Sequence, residues 1–163
     1  MIKKDINQND NLKFELLRIL NYEYTFSKVP IKRAKIKLNL NEDKSSLENL
    51  KKKIIEIQNC DLKQNASKMV FADGNTNSSI MIVGEGPGQK EDDEGRPFVG
   101  EAGTLLNKML KSINIERRNV YITNVVNYRP PNNRKPEPVE ITKYSNFLRK
   151  HISIIDPKIL ILM

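Results

Sequence analysis

The residues able to do chemistry in this 163-residue chain crowd into its second half. Gly84-Glu85-Gly86-Pro87-Gly88 follows a short apolar run, and three glycines so close together let a backbone approach a ligand and point N–H groups at it. A dinucleotide fingerprint needs G-x-G-x-x-G, and a nucleoside-triphosphate loop needs Gly-Lys-Ser/Thr behind its glycines; neither is present. Taken alone, the five residues also read as a tight corner between a strand and a loop. Phe98 beside Pro97 is either a stacking platform or a core aromatic, and Asn124 at a strand end is either an edge reader or a turn former. Asp92, Asp93 and Glu94 read as a solvated acidic loop, and Arg96 pairs with them or meets a phosphate. Arg129, Arg134 and Lys135 stand in a stiff proline-rich stretch where they could contact phosphates or simply be solvated.

Those residues need a frame, and the apolar pattern supplies one. Ile80 to Val83 is a short apolar burst ended by Gly84, as in a buried parallel strand. Residues 102–113 read as a helix with Ala102, Leu105, Leu106, Met109 and Leu110 on one face. A second strand over 120–126, a proline-rich loop over 129–138, a helix from Pro138 or Val139 to Ile152 and a third buried strand over 159–163 follow. Strand–helix–strand–helix–strand predicts an α/β fold, a three-layer α/β/α sandwich around a short central parallel sheet. Ligands then belong at the carboxyl ends of the strands, so Gly84–Gly86 and residues 124–129 should face one crevice. Residues 1–50 read as a variable basic extension with a helix starting near Asp10, and 51–163 as the folded domain, with a further helix from Ser45 or Ser46. The chain stops on the third strand, which reads as a C-terminal truncation.

Composition sets the outer bounds. Lys and Arg number 28 against 20 Asp and Glu, a net charge of +8, which suits a polyanionic partner as well as it suits a lysine-rich coding bias. The N-terminus carries no secretory signal, and no apolar run approaches a membrane span. Cys60 is the single cysteine, so no intramolecular disulfide forms and a reducing compartment is expected.

Longer strings are more specific than any single residue. GEGPGQKEDDEGRPFVGEAGTLLNKML, from Gly84, resembles the first motif of the family 4-like branch of the uracil-DNA glycosylase superfamily. VYITNVVNYRPPNNRKPEP resembles that family's second-strand segment and proline-rich loop, and a weaker likeness reaches upstream through CDLKQNASKMVFADGN. The resemblance implies DNA repair: hydrolysis of the N-glycosidic bond of a flipped-out deoxyuridine, leaving an abasic site. It places uracil between the stacking Phe98, the edge-reading Asn124 and a backbone cradle at Gly86. Glu91, ahead of Glu85, is expected to position the attacking water. Arg96, Arg129, Arg134 and Lys135 are the expected phosphate contacts. Uracil-containing DNA is the implied partner of a monomer in the cytoplasm, used at the bacterial-type nucleoid.

The chain also departs from that pattern. Family 4 members hold an iron–sulfur cluster on four cysteines, and only Cys60 stands at one of those positions, with Ile57, Tyr128 and Tyr144 at the others. No cluster is expected, since one thiolate cannot replace four; Cys60 then becomes a buried thiol among aromatics. The other superfamily branch has an aspartate where Gly86 stands and a tyrosine where Gly88 stands, which leaves base catalysis and thymine rejection open. The family's late His-Pro motif has no match, and His151 reads as an exposed helix residue. The alternative is therefore a truncated, weak or inactive glycosylase-like fragment that at most binds DNA. A nucleotide-binding Rossmann-like protein is disfavoured, because Asn124 and Asn127 stand where an acidic ribose ligand would follow the second strand.

Overall fold

A computed structural model of the chain describes residues 45–163. The helix expected near Asp10 and most of the expected extension over 1–50 lie outside the described residues. Four strands form one sheet in the order β1-β3-β2-β4, with β1 at Ala72–Gly74, β2 at Ile80–Gly84, β3 at Tyr121–Asn124 and β4 at Ile159–Leu162. β2, β3 and β4 run parallel, as expected, whereas β1 adds an antiparallel edge beside β3 that the sequence did not suggest. Three residues ending in glycine carry too little alternation to be read as a strand.

Among the described residues, five α-helices accompany the sheet: α1 at Ser45–Ile55, α2 at Asp61–Asn65, α3 at Gln89–Glu94, α4 at Glu101–Ser112 and α5 at Pro138–Ile155. Along β3, Ile122 packs with Ile82 of β2 and with Leu106 and Leu110 of α4 in one apolar cluster. Its neighbour Tyr121 points to the opposite face by the period-2 rule, where its hydroxyl meets Nε2 of His151 on α5 at 2.6 Å. α4 and α5 therefore cover opposite faces, giving the three expected layers. α1 buries Leu47, Leu50 and Ile54 and packs on α5, so it crosses the expected domain boundary at residue 50. α5 begins with Pro138 at its first turn and a reciprocal cap between Glu137 and Glu140.

Three expectations about burial are corrected. α4 buries Gly103, Leu106 and Leu110, while Leu105 and Met109 are more than half exposed; the glycine turns inward because the Phe98 backbone presses on it. β4 is an edge strand, not a buried one, with Ile159 and Ile161 exposed. His151 is buried rather than exposed, stacked 4.6 Å from the Phe71 ring as well as bonded to Tyr121.

That burial makes a testable pH dependence. Loss of solvent drives the His151 pKa down from 6.5 to about 4. Between those values the unfolded chain binds the proton and the folded chain does not, so stability is full above pH 6.5 and falls as the solution is acidified. His151→Gln is expected to remove roughly 3 kcal/mol of the acid-induced loss between pH 6.5 and 4. Unfolding midpoints recorded across that range check it; parallel curves for the two proteins would contradict it.

Candidate active site

The carboxyl ends of β2 and β3 lie side by side, with Gly84 registered against Asn124. Their chains stay paired beyond the strands, Val125 donating to the Gly84 carbonyl at 2.8 Å and Val126 to the Glu85 carbonyl at 3.2 Å. The Gly84–Gly86 turn and the start of the segment over 124–129 therefore lie side by side, as the strand order predicts. At the floor between them, a Cβ on Gly84 would lie 2.5 Å from Asn124 Oδ1 and 2.7 Å from the edge of the Phe98 ring. The missing side chain is thus what allows an aromatic face and a carboxamide to converge. Asn124 is 3% exposed, yet its carboxamide makes no hydrogen bond to any described residue. Its polar atoms are not among the fully buried unpaired ones, so the carboxamide keeps an open edge that a ligand can meet.

Gly86 is the next backbone unit along this wall. A Cβ there would meet Val126 Cγ2 at 2.9 Å, with Pro136 and Pro130 just behind, so no aspartate fits without displacing Val126. The proline-rich loop consequently borders the crevice. Within that loop Arg129 donates to Asn133 Oδ1 at 2.7 Å, and Arg134 grips both Glu140 oxygens at 2.8 and 2.6 Å. Arg134 ties the loop to α5; Lys135 is exposed. Arg96, about half exposed, reaches Asp73 at 3.2 Å.

The two candidate carboxylates have different surroundings. Glu91 accepts from three backbone N–H groups: Gly88 at 3.1 Å, Val99 at 2.8 Å and Gly100 at 2.7 Å. Burial alone would raise its pKa, but the N–H groups, led by Gly100, together hold it below the ordinary carboxylate range. Glu85, by contrast, keeps Oε1 buried with no hydrogen-bond partner. Asp92 is no solvated loop residue: it lies on α3, 1% exposed, and accepts from Ser67 and Lys68 N–H at 3.0 and 2.9 Å. Glu91→Gln would turn a donor toward those N–H groups, and a destabilisation of about 1–3 kcal/mol is expected. In the parent protein the Glu91 contribution is present above its unfolded pKa near 4.5 and lost as pH falls through the lower folded value. Denaturant titrations at neutral and acid pH check both statements.

The place where family 4 members hold their cluster carries different donors here. Cys60 is buried, with Sγ 3.2 Å from the Tyr144 hydroxyl, and Tyr128 is buried close by. Burial, then the bond to Cys60, pushes the Tyr144 phenol up, so it stays protonated. One thiol and two neutral phenols do not fit a four-thiolate cluster. Among the described residues, no group of three or more His, Cys, Asp or Glu side chains is placed to hold a metal ion.

The family model for the uracil DNA glycosylase superfamily matches residues 71–163. The chain belongs to the uracil-DNA glycosylase superfamily. It is similar to the type-4 uracil-DNA glycosylase of Sulfurisphaera tokodaii, 51% identical over 117 residues that make up 71% of this chain and 53% of that protein. The type-4 enzyme of Archaeoglobus fulgidus is 43% identical over 71% of this chain and 58% of its own length. The Thermotoga maritima protein of the same name is 48% identical over 63% and 53%. The chain thus spans about half the length of the curated relatives it matches. Every residue of the glycosylase-superfamily crevice described above lies inside the matched segment. Among the described residues, no helix is long and apolar enough to cross a membrane.

Sequence reasoning missed Asp73 and Arg117. Arg117 sits on a one-turn 3-10 helix before β3 and carries no motif signal, and Asp73 lies on the unforeseen β1.

Proposed function

We propose that the chain hydrolyses the N-glycosidic bond of deoxyuridine in DNA. The observation that carries this reading is the unpaired Asn124 carboxamide set beside the Phe98 ring over Gly84. Its oxygen can accept from uracil N3–H while its nitrogen donates to O4; cytosine offers the reverse pattern and is rejected. The target nucleotide leaves the duplex to reach this floor, and its base stacks on Phe98. As the C1′–N1 bond breaks, its electron pair goes to uracil, whose O2 the backbone N–H groups near Gly86 stabilise. Water then adds its oxygen to C1′ and gives its proton to a carboxylate.

Glu85 is the carboxylate we assign to that water, reversing the sequence preference for Glu91. Its free buried oxygen is available, while both Glu91 oxygens are committed to loop N–H groups. For the DNA backbone we assign Arg96, Arg129 and Lys135, with Arg134 holding the loop through Glu140. In this reading the protein is a cofactor-free monomer acting on nucleoid DNA in the cytoplasm. Incubation with iron and sulfide under reducing conditions is expected to give no visible charge-transfer band.

A single-stranded oligonucleotide with one deoxyuridine, treated with alkali after incubation, tests the activity. Strand scission with uracil but not with cytosine is expected, falling about 10²-fold or more in Glu85→Gln. No scission at micromolar protein, with DNA still bound, would leave only a DNA-binding role.

A further inference from the structure

We propose that Arg117 is the positioning residue of this pocket, holding Phe98 in the strained backbone conformation that lays its ring over Gly84 beside Asn124. Phe98 has φ +52°, in the left-handed region that a bulky residue avoids. Such a conformation persists only where surrounding contacts over-determine it, and it marks a functional position more often than an accident. Arg117 supplies contacts on the carbonyl side. Its Nη1 donates to the Phe98 carbonyl at 2.9 Å and its Nη2 to the Pro97 carbonyl at 2.6 Å. Glu91 takes the two following N–H groups, of Val99 and Gly100, so both sides of the strained residue are gripped.

The guanidinium is itself fixed. Its Nε donates to Asp73 Oδ2 at 2.8 Å, and Nη1 also reaches Asn107 Oδ1 at 3.2 Å. Asp73 sits opposite Ile122 in the antiparallel β1–β3 pair, so the short edge strand brings this carboxylate to the site. The Arg117 side chain is only 19% exposed and points inward, toward the Pro97-Phe98 turn, and not toward a phosphate. A planar fork with five donors can hold two carbonyls and a carboxylate together; a lysine ammonium cannot reproduce that geometry. The consequence for uracil rests on the proposed function, but the positioning of Phe98 does not.

Nuclear Overhauser contacts between the Phe98 ring protons and the Asn124 carboxamide read the positioning directly, with Ile82–Ile122 contacts as the fold control. Both sets are expected in the parent protein. Arg117→Lys is expected to lose the first set and keep the second. Its affinity for the deoxyuridine oligonucleotide should fall roughly tenfold, the loss expected from removing one base–aromatic stack. Phe98→Ala should fall as far, and the double variant no further. A Phe98–Asn124 contact retained in Arg117→Lys, one absent from the parent protein, or losses that add in the double variant would overturn the proposal. If Arg117→Lys loses the fold control, Asp73→Asn is measured in its place, with a weakened Phe98–Asn124 contact expected and an unchanged one overturning it. A parent protein that shows the contact but no deoxyuridine preference would instead remove the uracil reading and leave Arg117 in its role.

Discussion

Asn124→Leu is expected to lower kcat/KM for uracil release by roughly 10²–10³ while leaving the protein as stable as before. The loss follows from two uracil edge groups left without partners in a dry site, about 3–4 kcal/mol in all. The stability follows from the same geometry: this carboxamide makes no hydrogen bond to a described residue, so an apolar side chain of similar size removes no contact that holds the fold. Structural asparagines behave in the opposite way. Asn127, whose amide donates to the Val70 carbonyl at 3.0 Å, is the internal comparison; Asn127→Leu should destabilise the fold by about 1–3 kcal/mol. Thermal unfolding beside the scission assay separates the two. An Asn124→Leu protein that loses stability and activity together would assign Asn124 to the fold.

Gly103→Ala is the second large effect, and its sign is the informative part. A glycine inside a helix normally costs about 0.5–1 kcal/mol relative to alanine, so propensity predicts stabilisation. Here a Cβ would fall 1.9 Å from the Phe98 carbonyl oxygen and 2.1 Å from its carbon. Both atoms are backbone, and the carbonyl is also held by Arg117, so neither can swing aside. We expect a destabilisation of about 3 kcal/mol, at the upper end for overpacking, together with loss of uracil release as Phe98 is pushed out of place. A denaturation midpoint that rises in Gly103→Ala would contradict this packing.

Much of this arrangement is written locally in the chain. The apolar burst at Ile80–Val83 marks the strand and the segment from Pro138 to Ile152 reads as a helix, and parallel topology then puts Gly84 and Asn124 side by side. What could not be read is what depends on contacts distant in sequence. The helical period alone put Leu105 and Met109 on the buried face of α4, because nothing in that period reveals the pressure of Phe98 on Gly103. His151 looked like a surface histidine until Phe71 and Tyr121, far upstream, enclosed it. Glu85 and Glu91 have the same side-chain chemistry, and only the backbone N–H groups around Glu91 tell them apart. Asp73 and Arg117 are 44 residues apart and meet through a three-residue strand too short to recognise.

The central claim is that Asn124 and Phe98 form a floor that reads uracil. The side-chain amide resonances of Asn124, followed while a short single-stranded oligonucleotide with one deoxyuridine is added to the full chain, test it most directly. A saturable shift with deoxyuridine and none with deoxycytidine at the same position is the result the structure predicts. Equal shifts with both bases, or no shift with either, would contradict it.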